Sequence, residues 1–157
     1  MKKACCLILV LALLLCGCGQ SAAQKEADTV EFTDSTGRTV TVPARITKIA
    51  ITGPLSQVYI LPLAGDMLAG VSNAYAEDAA LYLPAYIFEK TEIGQLYGGK
   101  GEMDLEALLS AAPDVVIDIG EPKKTIAEDL ETLTEQTGIP FIHIDATVAT
   151  ARKHIAP

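Results

Sequence analysis

The chain has no tryptophan, only two histidines, and four cysteines, all of which (Cys5, Cys6, Cys16 and Cys18) fall within the first 18 residues. Residues 19 onward therefore hold no thiol for a disulfide, a zinc site or a cysteine nucleophile. Positive charge is also scarce, with 12 Lys and Arg against 20 Asp and Glu. That balance, without a basic patch interleaved with aromatics, repels phosphate backbones and removes nucleic acid from the partners to consider. Catalysis lacks its parts. There is no Gly-x-Ser-x-Gly elbow, and neither His143 nor His154 has a ligand-spaced histidine or cysteine beside it. Met103 is a lone methionine, which packing explains without a haem iron. The residues imply no enzyme activity and no cofactor. After the N-terminus, no apolar run approaches the roughly 20 residues of a membrane-spanning helix.

The N-terminus is different in kind. Lys2 and Lys3 precede an apolar run from Leu7 to Leu15, too short for a permanent span and suited to a removable export signal. Leu15-Cys16-Gly17-Cys18 then resembles the lipobox of bacterial lipoproteins. Gly17 is small enough to sit before the cut, so residues 1–17 are expected to be a signal peptide and Cys18 the acylated residue. Thioether-linked chains such as palmitate would hold the protein on the extracytoplasmic face of the cell membrane, each buried methylene contributing about 0.8 kcal/mol. Residues 18–29, rich in Ser, Ala, Gln and Glu, read as a lipidated flexible tether. Of the 157 residues, removing 17 leaves 140, enough for one domain with a real core.

Patterning supplies the architecture. Val30 to Phe32 and Thr39 to Val42 flank Asp34-Ser35-Thr36-Gly37, which predicts a small β-hairpin. Ile46 to Ile51 reads as a buried strand, Ser56 to Leu61 as a helix ended by Pro62, and Leu68 to Val71 as a second strand. Ala76 to Glu89 is helical in part, interrupted by Pro84, and Gly94 to Gly101 is a loop. Asp104 caps a helix with Leu105, Leu108, Leu109 and Ala112 on its apolar face, stopped by Pro113. Val115 to Ile119 is a buried strand. Pro122 marks a helix start, Ile126, Leu130 and Leu133 give its apolar stripe, and Gly138 ends it. Phe141 to Ile144 is the next strand, and Thr147 to Ile155 begins another helix. Strands alternating with helices imply an α/β, Rossmann-like lobe over residues 30–146, with a mostly parallel sheet flanked by helices and preceded by the hairpin. Ligands of such sheets sit beyond the carboxyl ends of the strands. The loops there are Thr52 to Leu55, Ser72 to Asp78, Gly94 to Glu102 and Gly120 to Lys124.

From Phe32 onward the order of features resembles the N-terminal lobe of the periplasmic binding proteins that deliver ferric siderophores, haem or cobalamin to ABC importers. The resemblance rests on Phe32-Thr33-Asp34 with Gly37-Arg38, Arg45-Ile46 with Ile49-Ala50, Leu63-Ala64-Gly65-Asp66 before Ala69-Gly70-Val71-Ser72, Met103-Asp104-Leu105-Glu106, and Ala112-Pro113-Asp114-Val115-Val116-Ile117. It implies a small-molecule metal chelate as ligand, an ABC importer permease as partner, and a second lobe that is absent here. Residues 147–157 would then be the start of an inter-lobe helix, and the chain a fragment. It also implies that Glu106 docks the lobe onto permease arginines, a position that the helix dipole alone would equally favour.

Within this frame, Pro54 and Leu55 open a helix whose first N–H groups would face an anionic ligand. Tyr75, Tyr82 and Tyr97 are candidates to pack against it, each being also an ordinary boundary residue of a core. Lys100, Lys123 and Lys124 could neutralise its charge, or be solvated surface lysines. Two rivals stand beside transport. Gly94 to Lys100 nearly spells a phosphate-binding loop, but Gly101 stands where Ser or Thr should hold magnesium. A single-lobe surface adhesion or sensor lipoprotein is the alternative that composition leaves open.

Overall fold

The computed structural model describes residues 28–97 and 102–147. The expected signal peptide with Cys18, the tether as far as residue 27, Lys100, and the terminal helix beyond Thr147 lie outside the described residues.

The hairpin forms as its alternation predicts. Strand β1 (Thr29–Thr33) pairs antiparallel with β2 (Thr39–Pro43), Val30 opposite Val42 and Phe32 opposite Val40. Its turn is built around the buried Asp34. One carboxylate oxygen accepts the Thr36 N–H and hydroxyl and the Arg38 N–H, at 2.9, 2.6 and 3.1 Å. The other accepts Arg38 Nε and Nη2 at 3.1 and 2.9 Å, and the His143 N–H at 3.3 Å. Arg38 Nη2 also donates to the Phe141 carbonyl at 2.7 Å, and the Ser35 N–H donates to the His143 carbonyl. The turn thus covers main-chain groups along one edge of the sheet that would otherwise be a pairing hazard. Burial alone raises the Asp34 carboxyl, but hydrogen bonds from Thr36 and Arg38, and the Arg38 charge, more than offset this and leave it below the ordinary carboxylate value.

The central sheet is parallel. Strand β3 (Ile49–Ile51) pairs with β6 (Val115–Gly120), and β6 with β7 (Phe141–Asp145), Asp118 opposite His143. Two short strands, β4 (Gly70–Val71) and β5 (Thr91–Glu92), pair with each other, and a parallel bridge from Ile49 to Leu68 joins them to β3. The order is therefore β5-β4-β3-β6-β7, reversing direction between β3 and β6. Side chains alternate across it as the pleat requires. Ile49, Ile51, Val115, Ile117, Ile119 and Ile142 face Ile60 of helix α1 (Pro54–Ala64), together with Val42 and Ile87. Ala50, Val116 and Phe141 face Leu108 of α2 (Leu105–Ala111) and Ile126 and Leu130 of α3 (Ile126–Thr137). Both faces are covered, as expected of an α/β lobe, and each fully buried aliphatic side chain contributes about 1.5–3 kcal/mol.

Several boundaries differ from the sequence expectation. The first sheet strand starts at Ile49, because the Asp114 carboxylate takes the N–H groups of Thr47 and Lys48, at 2.6 and 2.9 Å, away from any ladder. Those same bonds, the Thr47 contact foremost, lower the Asp114 carboxyl. Helix α1 runs through Pro62 to Ala64 instead of stopping before it. Pro62 lies on the exposed face with Val58, so water can take the carbonyl that the proline ring leaves unpaired. Only Leu108 of the predicted α2 stripe is fully buried; Leu109 is 48% exposed, and Ala112 leaves the helix in the left-handed region at φ 48°. Helix α3 begins at Ile126, four residues past Pro122, since residues 121–125 are spent passing from the end of β6 to the first core-facing position. It ends, as expected, at Gly138, with φ 70°.

Asp34→Ala should lower stability by about 3 kcal/mol, because it leaves Arg38 and several N–H groups without their acceptor. A depressed carboxyl contributes stability that is present above its unfolded pKa of about 4 and is lost as pH falls through the folded value. The gap between wild type and Asp34→Ala in urea should therefore be full at neutral pH and shrink below about pH 4. A gap that is absent at pH 7, or that widens in acid, would contradict this account of the turn.

Candidate functional site

Where the strand order reverses, the connections after β3 and β6 leave toward opposite faces of the sheet and a crevice opens between them. Here it is a cleft of about 230 Å³, walled by Thr52 to Ser56 on one side, Asp118 to Glu121 with Lys123 on the other, and Tyr97.

The β3 wall is the start of α1. Gly53 is extended, Pro54 occupies the first turn, and no side chain caps the helix. Gln57 N–H donates to the Gly53 carbonyl at 3.1 Å, so the N–H groups of Leu55 and Ser56 are the ones without a carbonyl inside the helix. They place partial positive charge at the cleft. The Ser56 side chain, buried to 1% exposure, turns the other way, and its Oγ accepts the Ile119 N–H at 2.9 Å. Strand β6 outruns β3, and this hydroxyl satisfies the first N–H that β3 is too short to reach.

The floor is polar. Thr52, Asp118 and His143 continue the sheet face that packs α2 and α3, and all three are buried. The Thr52 hydroxyl donates to one Asp118 oxygen, and His143 Nδ1 meets the other at 2.6 Å. A buried carboxylate is costly without such partners. His143 is fully buried, and its Nε2 has no hydrogen-bond partner.

The third wall is Tyr97. The Leu96 N–H donates to the Thr52 carbonyl at 2.7 Å, which pins this loop against the end of β3. The Tyr97 hydroxyl donates to Asp129 of α3, which also accepts from the Thr125 hydroxyl. Burial first, then the Asp129 hydrogen bond and the charges of Asp129 and Asp118, push the Tyr97 phenol above its ordinary value. Lys123 Nζ stands 4.5 Å from the Tyr97 ring centroid, a cation–π contact that fixes the lysine at the cleft. At the root of the loop Gly94 has φ 82°, and a Cβ there would meet the Glu102 carbonyl oxygen at 2.4 Å, so only glycine fits.

Of the residues singled out from sequence, Pro54, Leu55, Tyr97 and Lys123 come together in this cleft. Tyr75 is half-buried against Phe88, ring centroids 6.3 Å apart, within the core cluster under α1. Tyr82 is 86% exposed after a 3₁₀ turn, and neither tyrosine lines the cleft. Lys100 lies outside the described residues, and Lys124 is exposed away from the lining. Glu106 is exposed in the first turn of α2, behind the Asp104 cap that accepts the Ala107 N–H at 2.9 Å. Sequence reasoning missed Ser56 and the Asp118–His143 pair. Its signal was one acid in an otherwise apolar strand, Val115-Val116-Ile117-Asp118-Ile119. Among the described residues no cluster of three His, Cys, Asp or Glu could hold a metal ion, and no helix is long and apolar enough to cross a membrane.

No protein-family model and no curated protein matches the chain. Solved structures do. An ABC transporter solute binding protein from Sulfurospirillum deleyianum aligns at 24% identity with a TM-score of 0.61, over 74% of this chain and 36% of that one. A periplasmic solute binding protein from Veillonella parvula aligns at 20% identity and 0.56, over 82% and 39%. The molybdate periplasmic binding protein of a Haemophilus influenzae ABC transporter aligns at 19% and 0.54, over 74% and 34%. The chain shares their fold and spans little more than a third of their length.

Proposed function

We propose that the chain is a ligand-capturing lobe of an extracytoplasmic solute-binding protein, which takes a metal chelate such as a ferric siderophore, haem or cobalamin and delivers it to an ABC importer permease. One observation carries the reading: in a fold shared with such binding proteins, the uncapped N-terminus of α1 opens onto the cleft at the strand-order reversal. Ligand oxygens are the natural acceptors for the Leu55 and Ser56 N–H groups, Leu55 and Tyr97 offer apolar surface, and Lys123 offers charge. No bond is made or broken. A cleft open on one side encloses only part of a ligand, and pockets of useful affinity bury most of it. A second lobe supplies the opposite wall in this reading.

The remaining parts follow the same logic. Glu106 is exposed and near a helix N-terminus, where a carboxylate is available for arginines of the permease. The acylated Cys18 would keep the lobe beside the membrane in which that permease sits.

Calorimetry with ferric siderophore, haem and cobalamin is expected to find weak binding by this chain, strengthened about tenfold or more when the complementary lobe is added. Tight one-to-one binding without that lobe, or no effect of adding it, would contradict the half-site reading. In cells, Cys18→Ala should abolish palmitate labelling and release the protein from membranes. Glu106→Gln should cut uptake while leaving ligand affinity unchanged, and unaltered labelling or uptake would remove the corresponding role.

A further inference from the structure

We propose that Asp118 selects the ligand: the cleft takes a chelate that offers acceptor oxygens to the first turn of α1 and, at the sheet, a hydrogen-bond donor or positive charge. His143 is the positioning residue that holds the Asp118 carboxylate for that contact. This rests on the capture reading above and narrows the ligand class within it.

The first turn of α1 offers the Leu55 and Ser56 N–H groups as donors and Lys123 offers another, whereas the floor, like the exposed Glu121 at the rim, is a carboxylate, which when ionised can only accept. Each carboxylate oxygen accepts at two positions, and each oxygen of Asp118 has one side-chain partner, Thr52 on one and His143 on the other. No lysine or arginine pairs with Asp118 among the described residues, since Lys123 is held over the Tyr97 ring. A ligand that displaces water from the floor must bring its own N–H or O–H, or leave acceptor positions buried and unpaired. Sites built this way discriminate strongly against analogues lacking the donor. A bare oxyanion fits the helix end and is rejected by the floor.

The placement of His143 fits this division of labour. Its backbone is fixed on both sides by the hairpin turn, through Asp34 and Ser35, and its ring stands opposite Asp118 in the β6–β7 register. Nε2 is left unpaired in the interior, where an aliphatic side chain would pack without loss. The polar contact the ring makes is the one that orients the cleft carboxylate. A histidine serving only to fasten β6 to β7 would have no bearing on which ligand binds.

The test compares two probes that differ only in the donor: the gallium complexes of desferrioxamine B, which carries a free ammonium, and of its N-acetylated form, which does not. With the ¹⁵N-labelled protein, amide shifts of Leu55, Ser56 and Gly120 are followed to millimolar probe. The ammonium form is expected to bind about tenfold tighter or more, and Asp118→Asn to bring the two within about twofold. His143→Gln is expected to narrow the preference while leaving the affinity for the acetylated form unchanged, whereas a merely structural role would weaken both alike. Should Asp118→Asn fail to fold, the wild-type comparison decides alone. Equal affinity for the two probes, or a preference that survives Asp118→Asn, overturns this proposal and leaves the capture reading standing. Binding of neither complex likewise overturns this proposal, while the capture reading is decided by the calorimetry with haem and cobalamin.

Discussion

Strands β3 and β6 lie side by side although the chain visits β4 and β5 between them. Because parallel crossovers keep one hand, the connection after β3 must leave toward one face of the sheet and that after β6 toward the other. Nothing in a regular α/β lobe fills the resulting gap. The remaining features of the site are consequences of that gap: the α1 N-terminus has no cap because it opens there, Ser56 is buried because it must satisfy an N–H that β3 is too short to reach, and Thr52 meets Asp118 because they end neighbouring strands.

Two buried carboxylates hold the arrangement from opposite sides of the same strand. Asp34 collects six donors and ties the hairpin turn to the backbone of His143, while Asp118 takes the ring of that same residue from within the sheet. Strand β7 is thereby fixed in register with β6 at the position where the floor of the cleft is made. In an acidic chain this placement leaves the lysine of the cleft lining available, since both carboxylates are hydrogen-bonded locally: Lys123 is fixed over an aromatic face instead of against an acid.

What could be read in the sequence was whatever local physics determines. The hairpin followed from alternation around Gly37, β6 from its apolar run, the end of α3 from Gly138, and the two-sided sheet from the alternation of strands and helices. Pro54, Leu55, Tyr97 and Lys123 could be placed near one another because loops at strand ends converge in such folds. The rest depended on register. The two-residue strand β5, unlike β4 with its expected run from Leu68 to Val71, carries no pattern to detect, and Asp118 and His143 are 25 residues apart, joined only once β6 and β7 pair in one alignment. Tyr75 and Tyr82 could not be told from Tyr97 by composition. Packing on Phe88, exposure after a 3₁₀ turn, and a hydrogen bond to Asp129 are what separate them.

The cleft stands or falls with the strand order, since another order would scatter these loops over the surface. Cross-strand nuclear Overhauser contacts test it without reference to any ligand. Contacts joining Ile51 to Ile117, Leu68 to Ile49 and Asp118 to His143 in one folded species are the expected result. Absence of the Ile51–Ile117 contact, with either strand pairing to a different neighbour, would contradict it.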